Sequence, residues 1–471
     1  MDPKGTSPMR KLLAVALFLC VALVNAGCEI PDVIVSTIIS EGNAVASKVA
    51  VALTETAVAG GAGVTPDGTL PSGGGPEDTP TVDLGPTATQ TLMPTAALPH
   101  LRVAFISGGS PWLVAPPAPA YALSAQTGVD SVDISDDGQM VAYVRHDGFD
   151  HPAELRVVNY DGSGDRSLLT SAQVGALEPL PAGAAFIDLF QVKWIPGTHN
   201  LLVNTKVQYD GPGLGRSDDL FLINAETGVI TTVFTAGNAG EVWPSPNGMK
   251  MVISRGTYLS LANIDGSGVI PNVVTFPSII TYSEYQYYPE PVWAADSSRF
   301  GVVIASEDPL APATTGAIWL VNASTGAATL ASTLNGNFFF PKGILSPALD
   351  RVSSARPTAD PAVKDLYVSA LDGSMGLHLA TGNAAVESFS PDGQYFCYYV
   401  DSGTNDWIGS LGGGTFAVPG GSMRLIWYNN THFAYASGTV AAWTLKIGDT
   451  GGGSTVIASP AGDRTTFDVD E

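Results

Sequence analysis

A short turn phrase recurs along this chain and restricts it to folds built from short antiparallel strands. It is clearest at Ser390-Pro391-Asp392-Gly393, followed by the apolar run Tyr395-Phe396-Cys397-Tyr398-Tyr399. Variants stand at Ser135-Asp136-Asp137-Gly138, Ile195-Pro196-Gly197, Ser245-Pro246-Asn247-Gly248, Ala295-Asp296-Ser297, Ser346-Pro347-Ala348 and Tyr428-Asn429-Asn430. Pro presets φ early in such a turn, and Gly accepts the positive φ that closes it. The spacing is roughly 40–60 residues, a period of repeated β units.

The unit is legible in full between residues 131 and 170. Val132-Asp133-Ile134 is a first strand, Asp136-Asp137-Gly138 turns, and Met140 to Val144 is a second. A loop from Arg145 to Ala153 leads to a third strand, Leu155 to Asn159. Tyr160-Asp161-Gly162-Ser163 then turns into a fourth, Arg166 to Thr170. Further third strands are expected at Leu220 to Asn224, Tyr258 to Asn263, Ala317 to Asn322 and Asp365 to Ala370. Four-stranded units in a radial array form a β-propeller, whereas stacked sandwiches would not repeat so regularly. Seven units begin near 131, 191, 241, 290, 343, 387 and 423. At the start of the body, Leu101 to Ile106, Trp112 to Val114 and Tyr121 to Leu123 look like three strands lacking a first. Thr466 to Asp470 looks like a first strand alone. Joining the two gives an all-β, eight-bladed propeller with no free edge; seven blades is the alternative.

The domain boundaries follow from composition. Residues 1–27 have the form of a signal peptide: Lys4, Arg10 and Lys11 precede an apolar run, Leu12 to Val24, too short to span a bilayer. Residues 28–98 form a low-complexity tether, rich in Gly, Pro and Thr from about residue 60, with too few large apolar residues to offset ordering entropy. Residues 99–471 are the propeller. Asn25-Ala26-Gly27-Cys28 resembles a bacterial lipobox, which implies a lipid on Cys28 and a membrane anchor that does not span. Cleavage after Ala26 is the other reading. The chain is thus expected to be exported, to the periplasm or cell surface when anchored, or as a soluble secreted protein. Only Cys397 falls within the body, so no disulfide is expected there. The formal net charge of −23 disfavours nucleic acid as a partner.

The Ser-Pro-Asp-Gly turn and the later Asp-Gly-Ser turn, at Ser390 to Gly393, Ser245 to Gly248, Asp161 to Ser163 and Asp265 to Ser267, resemble TolB-type propeller repeats. The resemblance covers essentially the whole body. It implies the blade type and leaves function open, since such blades occur in TolB, which binds envelope proteins, in prolyl oligopeptidase-type enzymes and in a few lyases. A hydrolase of that type needs a Gly-x-Ser-x-Gly elbow, and the sequence contains none.

Candidate site residues come from the long loops between second and third strands and between blades, because function concentrates in loops on rigid scaffolds. Arg145, Arg255 and Arg356 recur at the end of the second strand, with Lys206 nearly equivalent. They read as a basic ring for an anion or acidic partner, or as cations paired with carboxylates between blades. Tyr282, Tyr285, Tyr287 and Tyr288 form a Tyr-rich interblade stretch that would supply contact area. His146 and His151 share a loop with Asp147 and Asp150, without zinc-type spacing. Asp133, Ser135 and Asp137 echo a calcium loop, but Val144 stands where its last ligand, Glu, belongs. No metal, cofactor or catalytic residue is assigned. Trp194, Trp243, Trp293 and Trp427 fall just before their turns and read as interblade packing. The leading expectation is a non-catalytic envelope propeller binding a protein, peptide or glycan through its long-loop face. The alternatives are a lyase or glycan-cleaving enzyme with a central site, and a structural surface protein.

Overall fold

The computed structural model describes residues 101–470, apart from 149, 211–214, 284, 312, 361–362, 401–405, 440 and 463–464. The expected leader, tether and lipidation residue Cys28 lie outside the described residues. The described residues form one compact unit. Its strands fall into eight antiparallel sheets, the blades of a propeller.

Blade 1 follows the sequence reading closely: Val129–Ile134, Met140–Arg145, Glu154–Asn159 and Arg166–Leu169, paired in that order. The other first strands are Ala184–Trp194, Glu241–Pro244, Val292–Trp293, Ala384–Phe389 and Arg424–Trp427, in blades 2, 3, 4, 6 and 7. In blade 5 the first strand is reduced to a single bridge, Leu345 to Val352, beside three full strands. Blade 2 gains a two-residue strand, Gly215–Arg216, in its long loop. Blade 8 closes the ring: Phe467–Val469 pairs with Val103–Ser107, which pairs with Ser110–Val114 and then Tyr121–Ala122.

The turn chemistry explains the regularity. Gly138, Gly197, Gly248 and Gly393 close their turns with φ between 66° and 71°. Where the sequence has no glycine the backbone does the same, at Ser297 (φ 59°) and Leu349 (φ 55°). The Ser of the phrase is buried: Ser135, Ser245 and Ser390 accept the backbone N–H five residues on, fixing the hairpin register. The cores lie between blades. One cluster joins Val252 and Leu261 of blade 3, Phe300 and Ile318 of blade 4 and Val352 of blade 5. Each such side chain contributes about 1.5–3 kcal/mol by leaving water. The single α-helical turn among the described residues, Ser171–Val174, carries a Thr170/Gln173 capping box. No described helix is long and apolar enough to cross a membrane.

Three of the four tryptophans tie blades together. Trp194 Nε1 donates to Asp133 O and Trp293 Nε1 to Trp243 O, both at 3.0 Å, while Trp427 Nε1 donates to Ser388 Oγ at 3.2 Å. Trp243 does not share their position. Trp194, Trp293 and Trp427 face Leu201, Phe300 and Phe433 across the hairpin, but in blade 3 the equivalent place belongs to Pro244, opposite Met251.

Candidate functional site

The long-loop face is built from the residues that end each second strand. Arg145 closes its strand, Arg255 follows Lys250–Ser254, and Arg356 lies within Arg351–Pro357. The structure gives each of them local partners. Arg145 pairs with Asp147 and with Glu154 at 2.7 Å. Arg255 reaches Asp218 of the preceding blade at 3.0 Å and donates to the carbonyls of Gly237 and Ala239. Arg356 lies over the Tyr367 ring, 4.3 Å from its centroid. Lys206 stands 3.4 Å from Asp188.

His146 belongs to the same network. Its Nδ1 meets Asp130 on the first strand of blade 1, and its Nε2 lies 3.4 Å from Asp188 on the first strand of blade 2. Asp188 is buried and also accepts from Ala153 N at 2.9 Å. Hydrogen bonds to Asp130 and Asp188 push the His146 pKa up to about 9. Burial works against ionised Asp188, yet His146 and Lys206 outweigh it and hold its pKa below the usual value. His151 is exposed, and among the described residues its charged neighbour is Asp150, at 3.6 Å.

This network sets a pH dependence. A histidine whose folded pKa is raised stabilises the fold fully below its unfolded pKa, about 6.5, and loses that contribution as pH rises through the folded value. Between pH 6.5 and about 9 the protein is expected to lose about 1–2 kcal/mol, allowing for partial solvent screening. His146→Gln should flatten that slope in urea denaturation across this range.

The tyrosines separate by role. Tyr288 is buried and donates to Asp218, and Arg216 lies over its ring at 4.2 Å. Burial, then the Asp218 charge, pushes the Tyr288 pKa up to about 12. Tyr287 packs on Phe339 with centroids 5.2 Å apart. Tyr285 is half-buried. Tyr282 is 61% exposed and donates to Asp308.

Near Tyr282, loops bonded to one another carry further exposed apolar side chains, which the sequence reading did not single out. Ile280 (45% exposed), Leu310 (62%) and Phe340 (48%) stand on three loops of blades 3 to 5. These loops hold one another: Ile280 N donates to Glu307 O at 2.8 Å, and Asn337 Nδ2 to Pro309 O at 3.1 Å. Phe340 meets Phe339 edge-on at 4.3 Å. Each residue looks ordinary in its own loop; only hydrogen bonds between loops of different blades bring those loops together.

A second polar group lies on the first strands of blades 7, 8, 1 and 2, which carry Arg424, Asp468, Asp133 and Lys193 in turn. Burial, then the Asp468 charge and hydrogen bond, raises the Asp133 pKa well above the usual value. Asp468 accepts from Ile134 N at 2.9 Å. Lys193 Nζ sits 3.4 Å from the centroid of the Trp243 ring, and burial lowers its pKa to about 8. The sequence signal is a charged residue inside an apolar first strand: Asp133 reads as part of the strand Val132-Asp133-Ile134, and nothing in that strand alone points to Asp468. A cavity of about 160 Å³ opens beside the first-strand positions of blades 4 to 6, lined by Tyr287, Glu290, Lys342, Ile344 and Glu387 among others.

No protein-family profile and no curated protein matches the sequence. Among solved structures the chain is similar to TolB from Acinetobacter baumannii, at 15% identity over 71% of this chain and 67% of that one, with a TM-score of 0.36. It is similar to dipeptidyl peptidase 4 from Porphyromonas gingivalis, at 12% identity over 71% of this chain and 55% of that one, TM-score 0.46. It is also similar to oligogalacturonate lyase from Vibrio parahaemolyticus, at 14% identity over 61% and 79% of the two chains, TM-score 0.40. Likenesses at this level assign no activity, and the eight-bladed assignment rests on the strand pairing itself.

Proposed function

We propose that this protein is a non-catalytic, exported propeller that binds a protein or peptide partner through the long-loop face of blades 3 to 5. The observation that carries this reading is the exposed group Ile280, Tyr282, Leu310 and Phe340, on loops bound to one another by hydrogen bonds. Exposed apolar and aromatic side chains on a braced surface supply the buried anchors of an interface. A glycan would stack on Tyr282 and leave Ile280 and Leu310 uncovered, so a polypeptide fits the apolar content better. The cations of the former basic ring are engaged locally, which favours their structural reading over an anion site. Export to the envelope, with or without a lipid on Cys28, is part of this proposal and rests on the leader sequence.

The test is cross-linking of the intact protein to envelope components, with hydrogen exchange read on the captured complex. Protection is expected in segments 276–291, 306–314 and 336–343. Changing Leu310 and Phe340 together to Ser should weaken capture at least about tenfold while leaving the folded state intact, since both side chains are largely exposed. Protection confined to the opposite turns would sink the proposal.

A second reading, a central-site enzyme, is favoured by the Asp133–Asp468 pair beside Lys193. Acids whose pKa values are raised near a lysine whose value is lowered are the groups that exchange protons near neutral pH. Turnover of a uronide or other glycan, abolished by Asp133→Asn with the fold preserved, would move the weight to it.

A further inference from the structure

Blade 6 carries a constellation that neither reading uses. Its first strand contains a bulge: Val386 pairs with Tyr398 and Ser388 with Cys397, leaving Glu387 as the extra residue. A bulge re-aims its side chain, and here the Glu387 carboxylate meets the Cys397 thiol, with Sγ to Oε2 at 3.7 Å. On the third strand, Asp406 lies two residues from Ile408, the partner of Cys397, and so on the same face of the sheet. One ligand atom from each of Glu387, Cys397 and Asp406 lies within 4.8 Å of the others.

A buried polar atom beside the group points the same way. Ser422, only 2% exposed, has its hydroxyl beside the Asp406 carboxylate but, among the described residues, makes no hydrogen bond of normal geometry. Two carboxyls and a thiol held this close repel one another when ionised, and a divalent ion reverses that balance.

We propose that Glu387, Cys397 and Asp406 bind one zinc-class divalent cation, with the fourth coordination position facing the cavity that Glu387 lines. A thiolate among the donors selects zinc or cobalt over magnesium and calcium. Tetrahedral zinc with one sulfur and one oxygen places those atoms about 3.5 Å apart, close to the separation already present. Three protein donors with one open position is the arrangement of sites that hold water or a ligand on the metal. The three residues come from three neighbouring strands, which no spacing motif reveals.

The test uses the full chain, stripped with chelator and titrated with Zn²⁺ by calorimetry and with Co²⁺ by absorption. One ion per chain is expected, with a thiolate-to-cobalt charge-transfer band in the near ultraviolet. Cys397→Ser should abolish that band, and Glu387→Gln should weaken zinc binding at least about tenfold. Glu387 faces the cavity, so its variant remains decisive if Cys397→Ser fails to fold. Zinc uptake equal in the wild type and Glu387→Gln, absence of the cobalt band, or equally tight Mg²⁺ binding would each overturn the proposal.

Discussion

Deleting residues 466–471 is expected to cost this protein its cooperative fold. The strand Phe467–Val469 pairs Phe467 with Phe105, Asp468 with Ala104 and Val469 with Val103. Phe467 is fully buried against Val103, Phe105, Trp443 and Leu445, so it belongs to the cores of blades 7 and 8 at once. Asp468 caps Ile134 N in blade 1, and Asp470 accepts from Arg102 N. One short strand thus fastens three blades. Removing it forfeits about 3–5 kcal/mol for Phe467 alone, against a total stability of about 5–15 kcal/mol for a folded domain. It also leaves Val103–Ser107 as an open edge, a template for association between chains.

The expected result in size-exclusion chromatography is aggregation of the truncated chain, and in urea a broad, early transition. Phe467→Ala provides the graded version, with about 3–5 kcal/mol lost at unchanged topology. Val456→Ala is the control: Val456 lies on an outer strand and is 53% exposed, so less than about 0.5 kcal/mol should follow. A truncated chain with wild-type stability would mean that the ring does not depend on this closure.

The closure was legible because strands carry a two-residue period and turns carry positive φ, and both survive in a single sequence. Thr466 to Asp470 read as a first strand without followers, and Leu101 to Ile106 as followers without a first; their union needed only the repeat. The site was less legible because its contacts join different blades. Arg145 and Arg255 could be seen to occupy equivalent positions, but one pairs within its own blade and the other with Asp218 across a gap. Asp133 and Asp468 are neighbours only because the ring closes. Ile280, Leu310 and Phe340 sit in loops without periodicity, and exposure is a property of the packed molecule. Repeats disclose position, whereas partner identity is decided by the intervening loops, which vary freely.

Trp293 and Trp243 turn that limit into a measurable contrast. Both precede a turn, and the sequence places them together. Trp293 Nε1 donates to Trp243 O at 3.0 Å, and its ring packs on Phe300 with centroids 5.3 Å apart. Trp293→Ala should therefore cost about 3–5 kcal/mol. Trp293→Phe keeps most of the apolar contact but removes the indole donor from the Trp243 carbonyl, which keeps its ladder partner opposite Val252, at about 0.5–1.5 kcal/mol. The Trp243 Nε1 is itself buried and makes no hydrogen bond among the described residues. Phenylalanine there removes an unsatisfied donor and keeps a ring beneath Lys193, so Trp243→Phe should cost less than Trp293→Phe, and well under about 1 kcal/mol. Urea denaturation of the three variants checks the order. Equal losses for the two phenylalanine variants would show that packing alone, and not the indole hydrogen bond between blades 3 and 4, fixes the tryptophans of this ring.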